Sequence, residues 1–380
     1  MSSNLRSALD TFIDFSGIPT VNFYPMTEYL KQFRSKIDAI DNELLKLINT
    51  RAQLAKEIGK QKSGAAYRPE RESQIFTRLH QLNSGPLSNE CITQLFTEII
   101  SACRGLEAPF TIAYLGPQGT FSEEAVTKRF GSAVNTLASS SIDDVFRKVE
   151  SGTASYGVVP VENSTEGAVG RTMDLLLQTP LTICGEIELS IHQCLMAQQA
   201  NLSAIKKIYS HPQSFAQCQN WLNENLHNLH TIERINAASN ADAARLAASA
   251  QDAAAIAGKK AAEVFGLTLC ASNIEDNPNN TTRFLIIGTQ LIAPSGKDKT
   301  SLAMATNNRP GAIHELLAPL AHYHVSMTRL ESRPSRANLW DYVFFVDIEG
   351  HQEDKNISKA LQALRDNATF LKLLGSYPAA

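Results

Sequence analysis

From Thr27 to Lys62 the chain runs without proline and with a single glycine, Gly59. Apolar residues recur at helical spacing through Leu30, Phe33, Ile37, Ile40, Leu44, Leu47, Leu54 and Ile58, which describes one helix with one narrow buried stripe. At ~1.5 Å per residue it would be about 54 Å long, more than the width of a domain of this size. A stripe of that length has to be buried against other helices, and a second copy of the chain is a ready source, so dimerisation is expected. Arg51 interrupts the stripe, continuing the series 37, 44, 51, 58. Lys62 lies on the same face, roughly 16 Å further along the axis. Two cations on an inward face repel unless an anion lies between them. They either converge on a small polycarboxylate or snorkel to the surface.

Two more helices follow. One starts near Pro69, suited to a first turn, and carries Glu70, Arg71, Glu72, Ile75, Leu79 and Leu82. The next starts after Pro86 with Ser88 as its cap and runs through Ile92, Leu95, Phe96, Ile99 and Cys103 to Glu107. Residues 27–107 therefore read as an all-α domain. Ahead of them, residues 1–26 carry Asp10 and Asp14 inside their only apolar patch. That argues against a signal peptide and for a disordered extension.

A chain of 380 residues has room for two to four domains of roughly 100–200 residues each. Its net charge of −3 makes no electrostatic case for nucleic acid or an anionic membrane surface. No apolar run approaches the ~18 residues that span a bilayer. The six cysteines, at 91, 103, 184, 194, 218 and 270, show no Cys-x-x-Cys spacing, so neither a metal site nor a disulfide framework is indicated. A cytoplasmic protein without metal or other cofactor is the expectation.

At Ala108-Pro109 the pattern changes to strand, loop and helix, which continues over residues 108–288. Phe110 to Leu115 reads as a strand. Gly116-Pro117-Gln118-Gly119-Thr120-Phe121-Ser122 follows as a loop whose glycines let backbone amides approach a ligand, with Ser122 as the expected helix cap. The loop is neither a Walker A nor a dinucleotide fingerprint, so a nucleotide is not expected. Tyr156 to Gly170 repeats the pattern: a β-branched strand end at Val158 and Val159, Pro160 denying the ladder its next donor, then Glu162, Asn163, Ser164 and Thr165 ahead of a helix start. Leu181 to Met196 reads as one long strand. The pattern restarts at Ile208-Tyr209-Ser210, with His211-Pro212-Gln213-Ser214 as the loop. Thr282 and Arg283 open the buried strand Phe284–Ile287. Strand ends that empty polar groups into helix N-termini are anion sites of open α/β sheets. Two such lobes with few crossovers suggest a hinged pair closing on a small ligand, as in solute-binding proteins.

Residues 289–298, with Pro294, Ser295 and Gly296, read as a linker. Residues 299–380 give the order βαββαβ, the α+β ferredoxin-like split arrangement.

Each region also carries a resemblance. Phe33-Arg34-Ser35-Lys36-Ile37-Asp38, Arg51 with Leu54, Lys62, and Arg68-Pro69-Glu70-Arg71-Glu72 resemble the all-helical chorismate mutase domain, an intertwined dimer. The resemblance implies that Arg34 from the partner chain and Arg51 bind the substrate carboxylates. It gives Lys62 the ether oxygen of the breaking bond and Glu72 the substrate hydroxyl, with Arg71 and Cys103 among the contacts. Arg34 lies about 260° round the helix from Arg51, so only a dimer aims both at one ligand. Some relatives have glutamine where Glu107 stands, so a carboxyl there has to be protonated to donate.

Tyr114-Leu115-Gly116-Pro117-Gln118-Gly119-Thr120-Phe121-Ser122, Val159-Pro160-Val161-Glu162-Asn163-Ser164, Ser210-His211-Pro212-Gln213-Ser214 and Thr281-Thr282-Arg283-Phe284 resemble prephenate dehydratase, a two-lobed α/β, periplasmic-binding-protein-like fold. On that pattern Thr282 is catalytic, with Glu162, Asn163, Ser164, Ser210 and Gln213 around the substrate and Arg283 near its carboxylates. On the residues alone, Thr282 also reads as a strand-edge hydroxyl capping its own loop.

Gly311-Ala312-Ile313-His314-Glu315-Leu316-Leu317 and Glu331-Ser332-Arg333-Pro334 resemble the ACT regulatory domain. That implies phenylalanine as feedback inhibitor, bound at Gly311, Ala312, Ile313, Glu331 and Ser332 between paired domains; a pure dimerisation module is the alternative. Together the three resemblances imply a bifunctional enzyme, taking chorismate to prephenate and prephenate to phenylpyruvate, as a homodimer or larger. Two rivals are a dehydratase with an inactive mutase domain and a non-catalytic amino-acid sensor.

Overall fold

The structure is a computed structural model of the chain and describes residues 24–61, 67–226, 231–334 and 342–380. Lys62, expected at an ether oxygen, lies outside the described residues, as do residues 1–23 of the expected extension. The chain divides into two units, one ending at Leu54 and one starting at Ala55.

Among its described residues the first unit is helical. Helix α1 (Tyr24–Gln61) begins ahead of the expected Thr27 and passes Leu54. Leu30, Phe33, Ile37, Ile40, Leu44, Leu47 and Leu54 are each between 44% and 61% exposed, so the stripe drawn from the periodicity exists and is left uncovered among the described residues. Arg34 is exposed and Arg51 half-buried.

In the second unit α2 (Pro69–Leu82) and α3 (Asn89–Glu107) follow, the latter capped by Ser88 as expected. Then come β1 (Thr111–Leu115), α4 (Phe121–Phe130), β2 (Asn135–Ser139), α5 (Ile142–Glu150), β3 (Tyr156–Asn163), β4 (Gly167–Ala168), α6 (Gly170–Gln178) and β5 (Thr182–Ser190). These form a first lobe, whose sheet also takes in the later strand β11 (Thr281–Gly288) and is ordered β2-β1-β3-β11-β5. The second lobe holds β6 (Cys194–Ala197), β7 (Lys207–Ser210), α7 (Pro212–Gln217), α8 (Gln219–Asn225), β8 (Glu233–Asn236), α9 (Asn240–Ala247), β9 (Ala253–Ala257), α10 (Lys259–Phe265) and β10 (Thr268–Ala271). Its sheet is ordered β10-β6-β9-β7-β8. Strand β11 (Thr281–Gly288) then returns to the first lobe and inserts antiparallel between β3 and β5.

Three local expectations are corrected. The stretch 181–196 is two strands, and Ile191 to Gln193 between them crosses from lobe to lobe. Pro160 does not end β3: the strand runs on to Asn163, and the pairing slips by a bulge, with Arg283 opposite Glu162 and Phe284 opposite Pro160. A bulge is how a ladder absorbs a missing donor. Helix α4 starts one residue before Ser122, so Thr120 holds the cap position and Ser122 is buried in the first turn.

The C-terminal segment has the expected βαββαβ order: β12 (Asp298–Ala305), α11 (Ala312–His322), β13 (Met327–Pro334), β14 (Tyr342–Glu349), α12 (Lys355–Asn367) and β15 (Phe370–Pro378). Its sheet, β13-β14-β12-β15, packs α11 and α12 on one face through Leu302, Met304, Phe344, Val346 and Ile348. The opposite face joins the first lobe's core: Ala303, Val343, Phe345, Leu374 and Tyr377 cluster with Val159, Met173, Ile183 and Leu285. Gly375 permits this, because a side chain there would collide with the backbone of Ile183.

Helices α2 and α3 are seated on the first lobe by an aromatic and charged seam. Tyr67, wholly buried, packs on Phe130 and Tyr156 at ring-centroid distances of 4.9 and 5.1 Å. Glu72 is paired at 2.9 Å with both Arg104 of α3 and Arg129 of α4. Both its oxygens are thus engaged below the surface, which is a docking role and not the free carboxylate expected to hold a substrate hydroxyl. Removing one partner of a buried cluster strands the remaining charges and costs about 3–5 kcal/mol. Glu72→Ala is therefore expected to lower the unfolding free energy by about that amount in urea titration; an unchanged midpoint would contradict the docking role.

Candidate active site

The two lobes enclose a cleft of about 450 Å³. At its floor Asn163 of β3 stands opposite Thr282 of β11. Asn163 Nδ2 donates to Thr282 Oγ1 at 2.8 Å and to Asn280 Oδ1 at 2.9 Å. Its Oδ1 accepts from the backbone amides of Thr165 and Glu166 at 3.0 and 3.1 Å. Both amide hydrogens are therefore committed, and one is spent on Thr282. The threonine oxygen accepts that bond, and among the described residues none takes its own proton. A hydroxyl so held is oriented to donate into the cleft.

Five helices open their N-termini on the cavity: Thr120 to Ser122 of α4, Val169 ahead of α6, Gln213 of α7, Asn240 of α9 and Gly258 ahead of α10 all line it. Ser239 caps α9 and His211 Nδ1 accepts from Gln213 N at 3.4 Å, but α4, α6 and α10 have no side-chain cap. Their first-turn N–H groups remain available to a ligand. Among the described lining residues there is no lysine or arginine. The positive potential therefore comes from helix dipoles and backbone donors, which suit an anion. Apolar surface from Phe121, Ile191 and Phe284 lines the rest. Gly119 lets the lobes close: at φ +84 it accepts a left-handed turn, and a side chain there would come within 3.1 Å of the Ala261 Cα in α10.

Of the expected substrate contacts in this domain, the structure brings Asn163, Gln213 and Thr282 together in the cleft. It places Glu162, Ser164, Ser210 and Arg283 elsewhere. Glu162 and Arg283 are register partners and share the sheet face opposite Asn163 and Thr282, because successive strand side chains alternate. Glu162 Oε2 lies 2.7 Å from Arg329 Nε. Arg283 is held by Glu186 at 2.7 Å and Asp347 at 2.5 Å, so the expectation that it meets substrate carboxylates is corrected. Desolvation opposes its charge, but Tyr377, Asp347 and Glu186 more than offset that, and its pKa stands above the ordinary value. Ser210 Oγ donates to the Ile256 carbonyl at 3.2 Å, and Ser164 Oγ accepts from Thr281 N at 3.0 Å.

Three cleft residues were not read from the sequence. Asn280 fixes the Asn163 amide. Asn240 Nδ2 and Gln193 Nε2 donate to Ser214 Oγ at 2.8 and 3.2 Å. The signal for Asn280 was its position two residues before Thr282 at a strand start; Asn240 stood at the head of a helix directed back at the first lobe.

Elsewhere, Arg71 is exposed, Cys103 buried and Glu107 half-buried at the end of α3, against Gly59. Gly311 caps α11 in a left-handed conformation, followed by buried Ala312 and exposed Ile313. Glu331 and Ser332 sit on β13, one half-buried and one exposed. Among the described residues no group of three or more His, Cys, Asp or Glu side chains is placed to hold a metal ion, and no helix is long and apolar enough to cross a membrane.

Family models match residues 33–108 (chorismate mutase type II), 112–291 (prephenate dehydratase) and 302–366 (ACT domain). A bifunctional chorismate mutase/prephenate dehydratase of Neisseria gonorrhoeae is 52% identical over 93% of this chain and 98% of its own length. Among solved structures, prephenate dehydratase of Arthrobacter aurescens in complex with L-Phe aligns with a TM-score of 0.64 and 33% identity, over 70% of this chain and 89% of that one. A protein described as a quorum-quenching acylase aligns with a TM-score of 0.65 and 30% identity, over 71% of this chain and 98% of its own. With this helical region, cleft and C-terminal sheet in one polypeptide, the chain belongs to the bifunctional chorismate mutase/prephenate dehydratase family.

Proposed function

We propose that the chain works in phenylalanine biosynthesis, in the cytoplasm. Its helical region would rearrange chorismate to prephenate, and its cleft would convert prephenate to phenylpyruvate. The reading of the cleft is carried by one observation: the Asn163 amide holds Thr282 by its oxygen and leaves its proton to be donated. In the dehydration the carbon–carboxylate bond breaks and carbon dioxide leaves. Its electron pair enters the ring as the ring C–O bond breaks, and the departing hydroxyl takes one proton to become water. A hydrogen bond from Thr282 to that oxygen stabilises the charge developing on it. The full proton comes from water, since a threonine hydroxyl is too weak an acid to supply it. Helix N-termini hold the two carboxylates, and the apolar wall receives the aromatising ring. An acyl-transfer reading fits less well, because His211 Nδ1 is used in capping α7 and Ser214 is tied to Asn240 and Gln193.

For the mutase step the chemistry needs positive charge and confinement without a nucleophile. Arg51 supplies the charge, with Arg34 of a second copy and Lys62, and the uncovered stripe of α1 is the surface on which that copy pairs. Arg71, Cys103 and Glu107 are further contacts of this site. L-phenylalanine is the effector of the C-terminal domain, at Gly311, Ala312, Ile313, Glu331 and Ser332. The domain divisions at residues 27–107, 108–288 and 299–380 belong to this reading.

Following chorismate loss and phenylpyruvate gain in the ultraviolet tests both activities. Thr282→Ala is expected to lower dehydration at least 10²-fold, the scale of losing one donor to a developing oxyanion, while sparing the mutase; loss of both would signal misfolding. Asn163→Asp replaces the donor to Thr282 with an acceptor, so the threonine proton turns away from substrate. A loss of about 10²-fold in dehydratase kcat is expected, and kcat within twofold of the parent would remove the amide from the mechanism. Glu107→Gln keeps a hydrogen-bond donor at that position and should retain mutase kcat, whereas Glu107→Ala should lower it; an unchanged kcat in Glu107→Ala would take Glu107 out of the site.

A further inference from the structure

The residues that leave the cleft by strand alternation meet the C-terminal sheet, with the Arg283 side chain 11% exposed and that of Glu162 38%. Arg283, following Thr282, donates through Nη1 to Asp347 Oδ2 at 2.5 Å and through Nη2 to the Tyr377 hydroxyl at 3.0 Å. Asp347 is fixed by Ser301 Oγ at 2.5 Å, and Glu186, which also binds Arg283, takes Lys299 Nζ at 2.7 Å. Glu162, preceding Asn163, lies against Arg329. Arg329 Nε and Nη2 are buried without a hydrogen-bond partner among the described residues, so this pair is held by charge at 2.7 Å and not by an aligned bond. Arg329 and Asp347 are themselves cross-strand neighbours on β13 and β14.

One pair of residues in the C-terminal sheet thus grips both strands of the cleft floor, each at the position next to a cleft residue. The seam around Arg283, Arg329 and Asp347 leaves a void of only about 10 Å³, room for one water at most. Packed so tightly, a displacement of β13 or β14 cannot be absorbed locally and is passed to β3 and β11. On β13, Glu331 stands between Arg329 and Arg333 on the same face, and Arg333 reaches Asp174 of α6 at 3.3 Å. Glu331 and Ser332, two of the residues assigned to the effector, therefore lie on β13 between the two arginines that hold the first lobe.

We propose that Arg329 and Asp347 are positioning residues for dehydration: acting through Glu162 and Arg283, they set the separation and tilt of Asn163 and Thr282, and effector binding on β13 changes the rate by moving them. This rests on the assignment of the cleft as the dehydration site. It makes Glu162 an anchor on the far face of the sheet, not a group that touches substrate.

The test is a double-mutant cycle on the full-length enzyme, with mutase activity as the check on folding. Arg329→Met is expected to lower dehydratase kcat about tenfold with KM within twofold, and Arg329→Lys to restore most of it, because a cation returns to the same face. Glu162→Gln should cost a similar factor, and Glu162→Gln with Arg329→Met no more than either alone. The phenylalanine response should shrink in Arg329→Met with it. Dehydratase kcat within twofold of the parent in Arg329→Met, or losses that multiply in the double variant, would overturn the proposal. Multiplying losses with a drop beyond 10²-fold in Glu162→Gln alone would return Glu162 to direct contact with substrate. Failure of the site assignment itself reads differently: Thr282→Ala would then dehydrate prephenate at the parental rate whatever Arg329 does.

Discussion

The pairing of β3 with β11 is the constraint on which the rest of this molecule depends. The two strands lie more than a hundred positions apart in the chain, and an entire lobe is built between them. Because β11 returns antiparallel into the first sheet, it places Thr282 opposite Asn163 and gives the second lobe two crossings, Ile191 to Gln193 on the way out and the segment before Thr281 on the way back. Glu275 ties the two crossings together, accepting from Gln193 N at 2.8 Å. Two short, bonded crossings are the anatomy of a hinge.

The same ladder separates two kinds of chemistry by one residue. On the cleft face are an amide, a hydroxyl and helix N-termini; on the far face are carboxylates and guanidiniums packed against another sheet. A buried charge needs partners, and here each has one nearby and one across a seam: Arg283 with Glu186 and Asp347, Glu72 with Arg104 and Arg129. Such clusters add little net stability relative to apolar packing, yet they are unforgiving of misplacement. They fix where a sheet or helix pair sits, which hydrophobic contact alone leaves adjustable.

Much of this architecture can be read from residues in order. Helical spacing located α1 to α3, the repeated strand–loop–helix motifs located both lobes, and the βαββαβ order of the C-terminal segment followed from alternating patterns. What the motifs concealed was facing. Glu162-Asn163 and Thr282-Arg283 read as continuous polar runs, and a one-dimensional motif assigns all four to one ligand. Period-two alternation sends only one of each pair to the cleft, and applying it to the motif would have exposed the division. Glu72 misled for a different reason. Its partner Arg129 is contributed by a helix of another domain, and no local pattern announces a contact across that distance. The bulge at Pro160 was likewise hidden, since proline marks a missing donor but not how the neighbouring strand accommodates it.

The lack of lysine and arginine among the described residues of the cleft carries a consequence for turnover. Oriented peptide dipoles attract an ion in proportion to its charge, and they cannot close around a product by forming a salt bridge. The substrate assigned to this cavity brings two negative charges; the organic product keeps one, since the other carboxylate leaves as carbon dioxide and its charge passes to the departing hydroxyl, which a proton neutralises. Chemistry at this site thereby erodes the very attraction that assembled the complex, and the emptied hollow is again most hospitable to the next dianion.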